Sequence, residues 1–139
     1  MAVKTIDPHK YRITWGPIIM SGFGDDVVSI EYPDDLFEVV RGADSEVTRV
    51  RKGVEDVQVS VTLKQSSTTN DKLSAAMIAD KITGAGVFPL TIADGSGTSL
   101  LFADAAFIKK APTVDLGNSA KDRVWVLHTG PCELFIGGN

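Results

Sequence analysis

Alternation of apolar and polar residues with a period of two runs through much of the chain and predicts β-strands. The clearest example is VQVSVTLK (57–64), in which the odd-numbered residues are apolar and the even-numbered residues are polar. Because successive side chains of a strand point to opposite faces, such a strand packs one face on a core and turns the other to water. The polar face is either plain surface or the lining of an aqueous channel, and it consists of Gln58, Ser60, Thr62 and Lys64.

Several other segments carry residue types and punctuation that are typical of strands. YRITWG (11–16) alternates strictly, and VVSIEY (27–32) is rich in β-branched and aromatic residues. A Gly-Ser-Gly turn at 95–97 joins two more strand-like runs, VFPLTIAD and TSLLFADAAFIKK. RVWVLHTGPCELFI (123–136) predicts one long final strand, with a bulge or bend at the Gly-Pro pair 130–131.

The period changes to that of a helix between residues 66 and 86. Thr69 or Asn70 is the predicted N-cap and Gly84 the C-terminal stop, which places the helix at about residues 69–83. Its apolar residues cover a wide arc, so we expect the helix to pack on its own sheet and to present part of its flank to another surface. The predicted packing residues are Leu73, Met77, Ile78 and Ile82.

Together these elements predict a mainly β fold, an antiparallel β-barrel or sandwich with one flanking α-helix. The length of 139 residues suits a single domain that covers the whole chain, 1–139. A domain of this size buries roughly two thirds of the surface that its unfolded chain exposes, so a core can form without disulfides or metals. The closing GGN is flexible enough to act as an arm.

The segment FEVVRGADSEVTRVRKG (37–53) does not fit into that core. Its two ends are strand-like and predict a hairpin, but its centre is charged and neither face is strongly apolar. The residues alone leave two interpretations equally open. The segment is either a solvated, mobile hairpin or an extended arm that adds strand edges and charges to a neighbouring subunit. A head-to-tail contact of the second kind generates a ring if the rotation closes.

Composition narrows the classes of partner. The net charge of −4 and the pI near 5.0 argue against a protein that grips nucleic-acid phosphates, which requires clustered excess Lys and Arg. Cys132 is the only cysteine, so no internal disulfide can form, and we expect a reducing compartment. The opening MAVKTIDPHKY lacks the apolar core of a signal peptide, and no run reaches the roughly 20 apolar residues of a membrane span. We therefore expect no membrane binding by this chain.

Motifs for catalysis or ligand binding are weak. His9 and His128 lie near opposite ends of the chain without spaced ligand partners, which favours structural roles. GFGDD and DGSGTS lack the residues that complete nucleotide-binding loops, so turns are the simpler interpretation. The acidic pairs 25–26 and 34–35 are likewise interpreted as turn or cap residues rather than calcium ligands. We predict no catalytic residue, no metal and no cofactor.

The sequence resembles the tail tube proteins of contractile-tailed bacteriophages in the order of five stretches: IMSGFGDD, VVRGADSEVTRVRKG, VTLKQSSTTNDKLSAAMIAD, GAGVFPLTIADGSGTSLLFADAAFIKKAP and ELFIGGN. The similarity runs through nearly the whole chain, and its specificity comes from the order and number of the stretches. Ser45 departs from the family pattern V-x-G-A-D-G-E-V-x-R, in which this position is glycine. We expect the extra side chain to stiffen the hairpin tip slightly.

The resemblance implies a small β-barrel or sandwich that forms hexameric rings, which stack into a hollow tube inside a contractile sheath. It places a hairpin that bridges subunits or rings at about residues 39–54. It also implies a virion location in the phage tail, after assembly in the cytoplasm of the host bacterium. The implied partners are further copies of the chain and the sheath, tape measure, baseplate and tail terminator proteins, while DNA passes through the lumen without specific binding. The residues expected to form ion pairs between subunits are Arg41, Asp44, Glu46, Arg49, Arg51 and Lys52.

Other interpretations remain open. The chain could be the tube subunit of a related contractile injection system or tailocin. An alternative of another class is a monomeric β-barrel that binds a small molecule, and the weakest is a hydrolase that uses His128 and a carboxylate. The sequence does not decide whether the polar face of 57–64 or the 98–110 segment lines the lumen.

Overall fold

The computed structural model describes residues 3–138. Within this range the chain forms ten strands, one α-helix and a short 3-10 helix at Pro8–Lys10. The α-helix, α1, is Thr69–Thr83, and the strands are β1 (Tyr11–Trp15), β2 (Ile18–Ile19), β3 (Phe23–Glu31), β4 (Phe37–Arg41), β5 (Val47–Arg51), β6 (Gln58–Leu63), β7 (Phe88–Asp94), β8 (Leu100–Lys110), β9 (Arg123–Thr129) and β10 (Cys132–Phe135).

Eight of these strands form one curved antiparallel sheet. Its path runs β2-β1-β7-β8-β9-β6-β3, with β10 also paired to β8. Strands β4 and β5 form a separate two-stranded sheet. The prediction of a mainly β, antiparallel, barrel-like or sandwich fold with one flanking helix is confirmed.

One face of the large sheet and helix α1 enclose the hydrophobic core. The alternation in 57–64 has the expected effect, because Val59, Val61 and Leu63 are fully buried while the residues between them are partly exposed. Trp15 and Trp125 fill much of the remaining volume. The indole N–H of each donates a hydrogen bond, as buried tryptophans usually require.

Strands β9 and β10 form one long, interrupted strand beside β8, as the sequence predicted. The pairs Thr129–Ala106 and Cys132–Ala103 have the same register on both sides of the Gly-Pro break. The break therefore bends the strand without a slip, which would have turned every following side chain to the other face.

Helix α1 has the predicted bounds and ends at Gly84, whose φ of 69° is the left-handed conformation of a glycine stop. The predicted N-cap was wrong. Thr68 occupies that position without a side-chain capping bond. Thr69 and Asn70 cannot cap because both side chains are turned toward the sheet, where Thr69 Oγ1 accepts the backbone N–H of Ser21.

Asn70 joins three parts of the fold. Its amide nitrogen donates to the backbone oxygens of Lys64 and Ser67 at 2.9 and 3.2 Å, and its amide oxygen accepts the indole N–H of Trp125 at 2.9 Å. The start of α1, the loop that leaves β6 and the centre of β9 are thereby held together. Asn70 is buried, so these bonds are shielded from competing water.

The interpretation of GFGDD as a turn was wrong for most of its length. Gly22, with φ 72°, makes the turn, and Phe23 already begins β3. Asp25 and Asp26 therefore lie in a strand, where the pairing with β6 shifts register between Phe23 and Val28. Both carboxylates are exposed on this edge strand.

Residues 137 and 138 are tied down rather than free. Gly137 N–H donates to Ser99 Oγ at 3.0 Å, and Thr98 N–H donates to the backbone oxygen of Gly138 at 3.2 Å. The expected C-terminal arm is thus fastened to the turn between β7 and β8, and its last residue, Asn139, lies outside the described residues, as do the first two residues of the opening segment. Among residues 3–138, no helix is long and apolar enough to cross a membrane.

Candidate assembly surfaces

Large apolar side chains are exposed at several places outside the core. Clusters of such side chains commonly mark protein contacts. Those on the β4–β5 hairpin, on α1 and on β8 with β10 include Phe37, Val39, Val40, Val47, Val50, Ile78, Ile82, Leu100, Phe102 and Phe135.

The β4–β5 hairpin, residues 36–52, is called the arm below. It starts slightly earlier and ends slightly earlier than the predicted 39–54, and the backbone bond from Lys52 N–H to Leu36 O closes its base. Every residue of its two strands is exposed. None of its side chains contributes to the core, so packing within its own subunit does not account for the arm.

The arm has two chemically different faces. The pairs Phe37–Arg51, Val39–Arg49 and Arg41–Val47 place six side chains on one face, which is called the arginine face. This face carries three guanidinium groups and no carboxylate. The opposite face is nearly uncharged and consists of Glu38, Val40, Thr48 and Val50.

The cations of the arm have no ionic partner within the described part of the chain. The ion pairs found there join His9 to Asp7 and His128 to Asp56. The Arg49 guanidinium instead lies over the Phe37 ring, 4.5 Å from its centroid. The predicted roles of Arg41, Arg49, Arg51 and Lys52 in pairs between subunits stay predictions.

The tip of the arm is a tight turn with a left-handed residue. Ser45 has φ 67°, and its N–H donates to Gly42 O at 3.1 Å. Asp44 Oδ1 accepts the N–H of Glu46 at 3.2 Å, so this carboxylate has a local role in shaping the turn. A left-handed conformation is unfavourable for a residue with a Cβ, which explains why glycine suits the position of Ser45. The predicted ion-pair roles of Asp44 and Glu46 remain untested.

Helix α1 divides its predicted packing residues between two surfaces. Leu73 is fully buried, and Met77 packs against the core. Ile78 and Ile82, by contrast, are 56% and 79% exposed. They lie one turn apart on a flank that nothing in the described chain covers, so this flank is available to a partner.

The polar row on β6 is not uniform. Gln58 lies in a surface network, in which its amide nitrogen donates to Glu31 Oε1 at 3.4 Å and its amide oxygen accepts from Lys109 Nζ at 3.0 Å. Ser60 and Thr62 are partly buried, and Lys64 is exposed. Sequence reasoning missed the network because Glu31 and Lys109 are brought to Gln58 only by the pairing of distant strands.

His128 and Asp56 form a bond that the sequence did not predict. His128 Nε2 lies 2.6 Å from Asp56 Oδ2, which fastens the segment just before β6 to strand β9. This hydrogen bond is the largest cause that lowers the pKa of Asp56 below its ordinary value. The other ring nitrogen, Nδ1, is buried and has no partner among residues 3–138. Among the residues that the structure describes, the imidazole therefore hydrogen-bonds to Asp56 and to no hydroxyl or thiol.

This bond predicts a pH-dependent effect of Asp56→Asn. Because the folded pKa of Asp56 is lowered from 3.8, its stabilising effect is present above the unfolded pKa and is lost as pH falls through the folded pKa. We expect the variant to have a lower Tm than the wild type near pH 7, and the difference to narrow toward pH 3. Asp115→Asn, an exposed loop carboxylate, is the control and should show no such trend. A Tm difference that is constant across this range contradicts the prediction.

A cleft of about 690 Å³ lies between β3 on one side and β7, β8 and β10 on the other. Its apolar lining includes Val28, Ile30 and Leu134, none of which is fully buried. Its acidic lining residues are Asp25, Asp26 and Asp94, and its lining contains no Lys or Arg. Sequence reasoning did not find the cleft, because it forms only where the folded sheet brings β3 near strands that lie more than 60 residues later in the chain.

No protein-family model matches the chain. The structural protein ORF10 of Pseudomonas phage KPP10 is 34% identical to it over 123 residues, which cover 86% of this chain and 71% of that protein. The chain belongs to the family of this phage structural protein. It is therefore a virion protein.

The fold of this phage family member is shared with proteins of contractile injection systems. A chain in the sheath/tube terminator structure of the extracellular contractile injection system PVC has a TM-score of 0.63 at 12% identity, covering 98% of this chain and 100% of that one. The sheath–tube complex of the same system contains a chain with a TM-score of 0.62 at 13% identity, covering 94% and 91%. The cap that terminates the tube of the anti-feeding prophage gives 0.61 at 13% identity, covering 97% and 94%. At these identities the likeness establishes the fold alone.

Proposed function

We propose that the chain is a structural subunit of the inner tail tube of a contractile phage. Copies assemble into hexameric rings, and the rings stack into a hollow tube through which DNA leaves the particle. The observation that carries the proposal is the arm, a complete hairpin whose strands are exposed along their whole length. Packing against another copy would account for a folded element that does not pack on its own core.

Family membership and fold support the same function. The chain is related to a phage structural protein, and its fold is that of chains from a sheath–tube complex and from tube-terminating caps. In a tube, the sheath, tape measure, baseplate and terminator proteins are the expected partners. The tube needs no catalytic residue, because its action is to provide a rigid and continuous wall.

The charge of the chain is compatible with a conduit for DNA. The net charge is −4, so the chain as a whole has no excess of Lys and Arg that would retain the phosphate backbone. The polar row of Gln58, Ser60, Thr62 and Lys64 is the proposed lumen lining, with the outer face of β8 as the other candidate.

A tube terminator is a second candidate function. It is favoured by the fold likeness to a terminator over the full length of that chain. The two functions differ in their products, because a tube subunit polymerises and a terminator stops at a ring. The tube of an injection system or tailocin would behave as a phage tube does, and its gene neighbourhood would distinguish it.

The alternative function, a monomeric small-molecule carrier, is tested by measuring the molecular mass of the protein in solution. The cleft of about 690 Å³ is large enough for a ligand, so this class predicts a monomer at every protein concentration. We expect light scattering after size-exclusion chromatography to show a mass that rises with concentration. A strictly monomeric protein up to the highest soluble concentration would contradict the proposed assembly.

The exposed flank of α1 predicts a variant that folds but assembles poorly. Ile78→Asp with Ile82→Asp removes two exposed apolar side chains without entering the core. We expect an unchanged Tm and a loss of assembled species, because two carboxylates would have to be desolvated at the contact. Sedimentation velocity provides the measurement. Lys72→Glu, an exposed change on the same helix, is the control, and equal assembly of all three proteins would exclude this flank from the interface.

A further inference from the structure

We infer that the arginine face of the arm docks in the acidic cleft of a second copy of the chain. The inference rests on the proposed function and names the surface that receives the arm. The arm and the cleft are different regions of the same chain, so each copy offers one of each. Such a contact is head-to-tail, which closes into a ring or continues as a filament.

Charge is the first argument for this pairing. The cleft lining carries three carboxylates and no cation. The arginine face carries three guanidinium groups and no carboxylate. Each surface therefore repels a second copy of itself and attracts the other, which both accelerates encounter and fixes the orientation.

Apolar surface is the second argument. Val28, Ile30 and Leu134 line the cleft and remain partly exposed although they touch the core. The arginine face carries Phe37, Val39 and Val47, whose side chains are between 38% and 61% exposed. Burying these side chains together removes apolar area from water on both partners, which surface ion pairs alone would not do.

Shape is the third argument. One wall of the cleft is β3, which is an edge strand of the large sheet. The arm is a two-stranded element with five paired positions, so it extends by roughly 17 Å before its turn. Because every residue of both strands is exposed, the arginine face can lie against the cleft of a second copy without unfolding any part of the arm.

Docking has a consequence for the lumen. Ser60 and Thr62 line the cleft, whereas Gln58 and Lys64 do not. An occupied cleft would cover the first two residues. The role of lumen lining would then remain with Gln58, Lys64 and their neighbours on the outer face.

The test is crosslinking between two kinds of subunit. Both carry Cys132→Ser, so that only introduced thiols react. One kind carries Val39→Cys on the arginine face, and the other carries Ser29→Cys, a nearly isosteric change at an exposed residue of the cleft. A size tag on one kind separates the mixed product, and a short bifunctional maleimide joins thiols that lie close together. Ser119→Cys, also exposed but outside the cleft, replaces Ser29→Cys in the control.

We expect the mixed product from Ser29→Cys to exceed the control clearly. Adding Asp25→Lys and Asp26→Lys to the cleft subunit should lower the yield by roughly tenfold, since several weak ion pairs become repulsive. Adding Arg49→Glu and Arg51→Glu to the arm subunit as well should restore it. The matched acidic control is Asp104→Lys with Glu133→Lys on the outer face of β8 and β10, which should leave the yield unchanged. Circular dichroism and Tm confirm that each variant is folded.

Each result decides the inference. A yield equal to that of Ser119→Cys, insensitivity to the charges of the cleft, or a loss caused by the Asp104 and Glu133 changes overturns it. Electron microscopy of the same samples before crosslinking separates it from the proposed function. Tubes without the arm–cleft product retain the tube function and reject the docking site. The product without rings or tubes supports the docking site and rejects the tube function.

Discussion

Replacement of the arm is expected to abolish assembly while leaving the subunit folded. Residues 37–51 can be replaced by two glycines, because Leu36 and Lys52 are already joined by a backbone hydrogen bond at the base of the arm. No core side chain is lost, so the Tm should stay within a few degrees of the wild type. Electron microscopy should show no rings or tubes.

A tip variant is the matched control for this deletion. Ser45→Gly keeps both strands and suits the left-handed conformation at this position, so it should assemble as the wild type does. Tubes of normal diameter from the protein without its arm would contradict the role of the arm. A large loss of Tm in that protein would instead show that the arm supports its own core.

Asn70→Ala is expected to give the largest loss of stability among single polar substitutions. It leaves the buried indole N–H of Trp125 without its acceptor and removes two bonds to the loop between β6 and α1. Lost bonds and an unsatisfied buried donor together correspond to about 2–4 kcal/mol in the free energy of unfolding. For a chain of this length that lowers the Tm by about 5–15 °C.

Chemical and thermal unfolding of this variant provide the measurement. Lys72→Ala, an exposed change two residues from Asn70 on the same helix, should stay within about 0.5 kcal/mol of the wild type. A loss of less than about 1 kcal/mol for Asn70→Ala would show that the residue is not a main connection between helix and sheet.

The parts of the fold that depend on neighbouring residues could be predicted from the sequence. Alternation in 57–64, the helical period and Gly84 gave the right elements because strand faces and helix ends are set by nearby residues. Asn70 was assigned to a cap for the same local reason. Its actual partner, Trp125, lies 55 residues away. Leaving the buried indole N–H without an acceptor costs more free energy than leaving a helix end without this cap.

The candidate surfaces also differ in whether they are formed by neighbouring or by distant residues. The arm was recognisable because a charged, weakly apolar hairpin is visible in the sequence itself. The acidic cleft was not, since Asp25 and Asp26 resembled turn residues and the wall opposite them comes from strands much later in the chain. The bond between His128 and Asp56 was missed for the same reason, because it joins residues 72 positions apart.

In the proposed assembly, the subunit supplies half of an interface rather than a complete functional unit. Its arginines lack ionic partners within the described chain, its helix flank is uncovered, and its cleft is open and acidic. In the proposed assembly, each of these surfaces contacts a second copy in a head-to-tail arrangement. A ring is the closed form of that arrangement, and a tube is its stacked form.

Negative-stain electron microscopy of concentrated wild-type protein tests this central claim most directly. We expect hollow rings with sixfold symmetry, and tubes of uniform diameter built by stacking them. Rings that never stack would favour the terminator. Dispersed particles of subunit size, at concentrations where the protein is folded and soluble, would contradict the claim that this chain assembles into a tube.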